Sequence, residues 1–189
     1  VTVESLHFSN DPAANRRLAF DPMALMIGML LDQQVAIEWA FLAPHTLANR
    51  MGLSNDQPIS ARTLASLSEE EVVNLFVTKP ALHRYPAAMA RRVHKLAQVI
   101  AQDYDGEPQR IWLDAPSGKD LFKALKALPG FGDKKARIFV GIVGKRLGAG
   151  PPGWEACAAE WGTVADADSP GSVAEIRMLR AHKDGPAIA

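Results

Sequence analysis

The segment that most restricts the fold runs from Leu125 to Phe139: Leu-Lys-Ala-Leu-Pro-Gly-Phe-Gly-Asp-Lys-Lys-Ala-Arg-Ile-Phe. A helical pattern enters it, Pro129-Gly130-Phe131-Gly132 breaks that pattern, and a basic helical pattern leaves. Proline and glycine at this density do not sustain one continuous helix. The spacing therefore predicts two helices joined by a sharp reversal, over about 119–147. Glycine adopts backbone angles closed to other residues and lets a surface approach closely. Phe131, between the two glycines, can plug the space between the helices and fix the turn. The N–H groups that open the second helix then point outwards at its positive end, a ready site for an anion such as phosphate. Lys134, Lys135 and Arg137 add positive charge around it. Gly-x-Gly alone would favour a helical hairpin that binds nothing.

The rest of the chain also reads as helix. Asp21-Pro22 is an N-cap followed by proline at the first helical position. The nearly unbroken apolar run Met23 to Leu31 marks the helix behind it as central and buried on most sides. Further helices are expected over Ile37 to Arg50, stopping at Gly52; from Ser68, with Glu71 at the capping-box position; and from Tyr85-Pro86. In the last of these Met89, Val93, Leu96, Ala97 and Ile100 recur at helical spacing, with Arg91, Arg92, His94 and Lys95 around the other side. After a turn at Asp105 to Pro108, Ser117 caps Lys119 to Leu128, and Asp133 to Leu147 follows the glycine turn. A short helix near Trp154 to Trp161 and a last one from Ser169-Pro170 to about Lys183 complete the pattern. Runs of β-branched residues alternating at period two are almost absent. The fold class expected is all-α.

Composition narrows the partners. The chain has 189 residues, 48% of them hydrophobic, enough for a real core. No apolar stretch is long enough to span a bilayer. The opening Val1 to Phe8 lacks the order of a signal peptide, and Cys157 is a single cysteine; both point to a cytoplasmic protein. Formal net charge is zero, yet charge is unevenly spread. Val1 to Thr78 carries 4 basic and 9 acidic side chains, Lys79 to Arg146 carries 14 and 6, and Leu147 to Ala189 carries 3 and 6. A basic middle between acidic flanks fits one anion-facing side, although a plain solvated surface would give the same composition.

The string Leu128-Pro129-Gly130-Phe131-Gly132-Asp133-Lys134-Lys135-Ala136 closely resembles the hairpin of the helix-hairpin-helix, Gly-Pro-Asp family of base-excision DNA glycosylases, the endonuclease III-like enzymes. Three further stretches match that family in order. Met29-Leu30-Leu31-Asp32-Gln33-Gln34 resembles its early helix, ending in a glutamine that fills the hole left by a flipped base; Gln34 matches, with Gln33 its neighbour. Leu82 to Val93 resembles the helix leading toward the hairpin, and Tyr104-Asp105-Gly106-Glu107-Pro108 the turn that follows it. The resemblance implies a six-helix lobe over 22–147 and a smaller, reduced helical lobe from 1–21 and 148–189. It also implies a monomer that binds duplex DNA holding a lesion or mismatch, flips the base and hydrolyses its N-glycosidic bond.

That chemistry needs a carboxylate near the sugar, to stabilise an oxocarbenium-like transition state or activate water. The family carries it in a Val-Asp-x-His string, which this chain lacks. Asp166, in Thr163-Val164-Ala165-Asp166-Ala167-Asp168-Ser169-Pro170, is the first candidate and Asp168 the second; each would serve equally well as a helix cap. Some members add a lysine nucleophile that cuts the strand, and the matching position is Lys134, with Lys135 beside it a phosphate contact on the same reading. The resemblance thus assigns Gln33, Gln34, Gly130, Phe131, Gly132, Lys134, Lys135 and Arg137 to DNA. Trp39, Trp154 and Trp161 could each stack on an extruded base, although core or interlobe packing is the commoner use of such a ring; Tyr85 could face the target strand or only staple the helix entry. One cysteine excludes the four-cysteine iron–sulfur cluster of some relatives, and His7, His45, His83, His94 and His182 are too scattered for zinc, so neither cofactor nor metal is expected. Two other readings stay open: a helix-hairpin-helix protein that binds DNA without catalysis, and a helical protein-interaction domain.

Overall fold

The computed structural model describes residues 3–183, and among them every regular element is helical. The α-helices are α1 (Pro12–Phe20), α2 (Pro22–Leu31), α3 (Ile37–Arg50), α4 (Ala61–Ser66), α5 (Glu69–Val77), α6 (Pro86–Asp103), α7 (Arg110–Leu113), α8 (Gly118–Lys126), α9 (Asp133–Gly141) and α10 (Ser172–Lys183). None among the described residues is long and apolar enough to cross a membrane.

Short polar side chains start many of these helices by accepting from N–H groups that have no partner within the helix. Asp11 accepts from Ala13 and Ala14, Asp21 from Ala24, Ser60 from Thr63, and Ser117 from Asp120. Ser68 and Glu71 close a reciprocal capping box. Asp11-Pro12 carries the same signature as Asp21-Pro22, so α1 was legible in the sequence, although the pattern above passes over it together with the short α4 and α7.

Helix α2 is buried from Met23 to Leu31 and packs against α1, α3, α6 and α9. Gly28 leaves the space that the Phe41 ring of α3 occupies, so these two helices lie close. Helices α4 and α5 cover α6 along Met89, Val93, Leu96, Ala97 and Ile100. His94 was expected on the outer side of α6 but is buried, its Nε2 3.4 Å from the Ala65 carbonyl, because α4 covers that flank.

Beyond the hairpin the helices differ from expectation. Helix α8 ends at Lys126 rather than Leu128, and regular α-helix in α9 stops at Gly141, short of Leu147. From Ile142 to Arg146 the chain widens into a π-turn, with Leu147 N–H reaching back to the Ile142 carbonyl at 3.1 Å. The Trp154 ring packs on Gly144 within this turn and on Gly150 after it. The helix expected around Trp154 to Trp161 is only a single 3₁₀ turn, Trp154–Cys157, and another follows at Val164–Asp166. Helix α10 begins at Ser172 rather than Ser169 because Gly171, at φ +89°, lies outside helical geometry. One apolar core runs from Leu6 to Ile176 through all of these pieces.

Candidate nucleic-acid interface

The hairpin turn is set by packing at its centre and on its flank. Phe131 is buried edge-to-face on Phe139 of α9, ring centroids 5.9 Å apart, and so works inside the turn. Gly130 has φ +81°, and a Cβ there would come within 3.1 Å of the Leu30 side chain. The turn therefore seats directly on the C-terminal end of α2. A second tie comes from Lys135, whose Nζ donates to the Leu30 carbonyl.

These two ties bring together segments a hundred residues apart in sequence. A cleft of about 620 Å³ opens between them, lined on one side by Asp32, Gln33 and Gln34 and on the other by Gly130, Gly132, Asp133, Lys134 and Lys135. Thr163 and Val164 contribute to a further wall. The first turn of α9 lies on this cleft, and Gly132 supplies no side-chain cap to its N–H groups. They remain available to an anion, at the end of the helix where the backbone dipoles favour one.

The two lysines stand differently. Lys134 is exposed and makes no hydrogen bond or ion pair among the described residues. Lys135 is half-buried, and burial pushes its ammonium down to about 8, with the charge of Arg92 adding to the effect and that of Asp32 opposing it. The family resemblance matches Lys134 to the position of the amine nucleophile; the neighbour is the one whose proton is loosened. Arg137 turns away along α9. Its guanidinium bonds Asp133 at 2.9 Å and lies 4.8 Å from the Phe122 ring centre. Asp133 also pairs with Lys126 at 3.3 Å, and Arg137 followed by Lys126 holds its carboxyl below the usual range.

The two glutamines also part company. Gln33 turns inward: its amide donates to the Leu30 carbonyl at 2.9 Å and to Met89 Sδ at 3.3 Å, and accepts from Arg92 at 3.2 Å. Gln34 is exposed, sits at φ +57°, and makes no side-chain hydrogen bond among the described residues. Trp39 and Tyr85 do not line the cleft but flank the buried His83 ring, at centroid distances of 6.4 and 6.2 Å. Both are partly exposed, and the Arg84 guanidinium lies 5.4 Å from the Tyr85 ring centre. The sequence reading gave His83 no role; no local pattern marks it.

The carboxylate candidates sit apart from the cleft lining. Asp166 Oδ1 accepts from Lys145 at 2.6 Å, and Oδ2 from the N–H groups of Gly162 and Thr163, each at 2.9 Å. With Thr163 it forms a capping box on the Val164–Asp166 turn, so the same chain that lines the cleft at 163 and 164 is held by Asp166 from behind. Burial pushes this carboxyl up, but Lys145 and the two N–H groups outweigh burial and hold it below the usual value. Asp168 is bound by the Ser169 and Ser172 hydroxyls at 3.0 and 3.1 Å, and these lower its pKa. Among the described residues no cluster of His, Cys, Asp or Glu gathers to hold a metal. No protein-family model matches the chain, and no curated protein matches it.

Proposed function

We propose that the chain is a base-excision DNA glycosylase of the helix-hairpin-helix, Gly-Pro-Asp type. One observation carries this reading: the Gln33-Gln34 loop and the Gly130 to Lys135 turn, separate in sequence, line the same cleft. A phosphate on the uncapped start of α9 would set the duplex beside that cleft, with Lys134 adding charge. Gln34, exposed and unengaged, is the side chain able to enter a stack vacated by a flipped base. Gln33 holds the loop rather than the DNA. Glycosidic hydrolysis would then draw on a carboxylate from the 163–168 segment, Asp166 before Asp168, and Lys134 or Lys135 is the amine available for strand cleavage.

A non-catalytic DNA-binding protein is the second reading, and the capping role of Asp166 favours it: this carboxylate already has donors on both oxygens. Titration of labelled duplexes at several salt concentrations separates the possibilities. A glycosylase binds a duplex holding an abasic-site analogue more tightly than an intact one, with affinity falling steeply as salt rises. Asp166→Asn then abolishes turnover on a lesion substrate while leaving affinity in place. Equal, salt-sensitive binding to both duplexes supports the non-catalytic reading. Failure to bind either at low salt removes DNA as the partner.

A further inference from the structure

We infer that His83 is the positioning residue of the cleft: its buried imidazole fixes the turn that presents Gln34. The ring is 1% exposed and lies where the loop before α6 meets the end of α2. Its Nε2 is 3.1 Å from the Leu31 carbonyl and 3.0 Å from the Gln33 carbonyl. Its Nδ1 accepts the Tyr85 N–H at 3.0 Å. That acceptance fixes the tautomer: the proton is on Nε2, which donates to both loop carbonyls at once. Trp39 and Tyr85 lie beside the ring, their centroids 6.4 and 6.2 Å from its own.

The turn needs such a strut. Gln34 holds a left-handed backbone conformation that a side chain other than glycine rarely adopts, and such a conformation persists only where its surroundings over-determine it. Gln33, immediately before it, is bound through its own amide group to Leu30, Met89 and Arg92. The Leu31 carbonyl already accepts the Gln33 N–H at 2.7 Å; His83 adds a second donor there and donates to the Gln33 carbonyl, so one ring ties both ends of the turn. Through the Tyr85 N–H, the same ring ties the turn to the first residues of α6. His83 thus acts on Gln34 from behind, without facing the cleft.

Two measurements test this, one with DNA and one without. In His83→Phe the ring volume remains and the hydrogen bonds are lost. Hydrogen exchange at the Asp32 and Gln33 amides, bonded in the wild type to Gly28 and Leu31, is expected to quicken roughly tenfold while the amides of the α2 core keep their rates. His83→Gln restores an N–H donor toward the two carbonyls and returns those rates to near the wild-type values, leaving only Tyr85 less protected. Rates at Asp32 and Gln33 that do not change in His83→Phe, or that change equally along the whole chain, overturn the inference. If His83→Phe does not fold, loss of protection at Asp32 and Gln33 in His83→Gln overturns it instead.

The DNA arm rests on the function proposed above. His83→Phe is expected to lower the preference for an abasic-analogue duplex to within about twofold of Gln34→Ala, with the double variant no worse than either. Additive losses in the double variant overturn the coupling. If the wild type shows no such preference, the glycosylase reading fails, and the exchange experiment still decides the role of His83.

Discussion

At the scale of single residues, the structure separates neighbours that look alike in sequence. Gln33 is a bracket and Gln34 a free arm; Lys135 is anchored and Lys134 is open to solvent. Glycines divide the same way. Gly52 and Gly148 answer to backbone angle, whereas Gly144 answers to space, because a Cβ there would come within 2.3 Å of Trp154 ring atoms. The indole lies also on Gly150, and the Trp154 backbone is packed against Gly118, so the ring cannot retreat without unseating the turn. Gly144→Ala is therefore expected to cost about 1–3 kcal/mol, the usual penalty of overpacking, measured by urea unfolding. A neutral result would mean that the ring moves aside freely.

At the scale of elements, the hairpin and α2 are one unit. Gly130 meets Leu30, and Lys135 donates to the Leu30 carbonyl, placing a cation at the negative end of α2. Burial opposes that cation, and the consequence depends on pH. An unfolded lysine titrates near 10.5 and the folded Lys135 near 8. Between these values the unfolded chain binds more protons, so this group makes stability rise with pH. Below about 8 both states are protonated and the cost of burial is felt in full. Lys135→Met removes that cost. Its stability relative to wild type is expected to be most favourable near pH 7 and to decline as pH climbs toward about 10, as read from denaturant melts at each pH. A difference that stays flat would show that the ammonium is well solvated.

At the scale of the whole molecule, one buried ion pair ties distant pieces together. Arg17 of α1 bonds Asp21 at 3.2 Å, with side-chain exposures of 1% and 0%. Its guanidinium also donates to the Gln57 carbonyl at 2.7 Å and the Ser54 carbonyl at 2.8 Å, while Asp21 accepts from Ile59 N–H at 2.9 Å. The pair thus pins the 54–59 loop over the junction of α1 and α2. Burial pushes the Asp21 carboxyl upwards against the pull of its hydrogen bonds and of Arg17. Removing the guanidinium leaves the buried carboxylate without its counter-charge and takes a donor from the Ser54 and Gln57 carbonyls. Arg17→Met is expected to destabilise the protein by about 3–5 kcal/mol, checked by urea denaturation. A loss below about 1 kcal/mol would mean that water replaces the arginine at this junction.

The sequence by itself determined what local chemistry decides. Proline after aspartate, serine three residues before glutamate, and glycine flanking one apolar residue each act within a turn or two of backbone. Hence α2, α3, α5, α6 and the hairpin were readable, and so was the all-helical class. Helix ends that answer to distant partners were not: α9 loses α-helical geometry where Trp154 lies on Gly144, and His94 is buried because α4 covers it. The same divide runs through the candidate site. The resemblance put Gln34 before Gln33, Asp166 before Asp168 and Lys134 at the nucleophile position, but it carried no sign of which of these side chains are already engaged. That needed the contact of Lys135 with Leu30, 105 residues away, and of His83 with Leu31, 52 residues away. Contacts of that span form only once the core has closed around α2, so the tertiary structure alone decided which side chains are spent holding the cleft and which are free to use it.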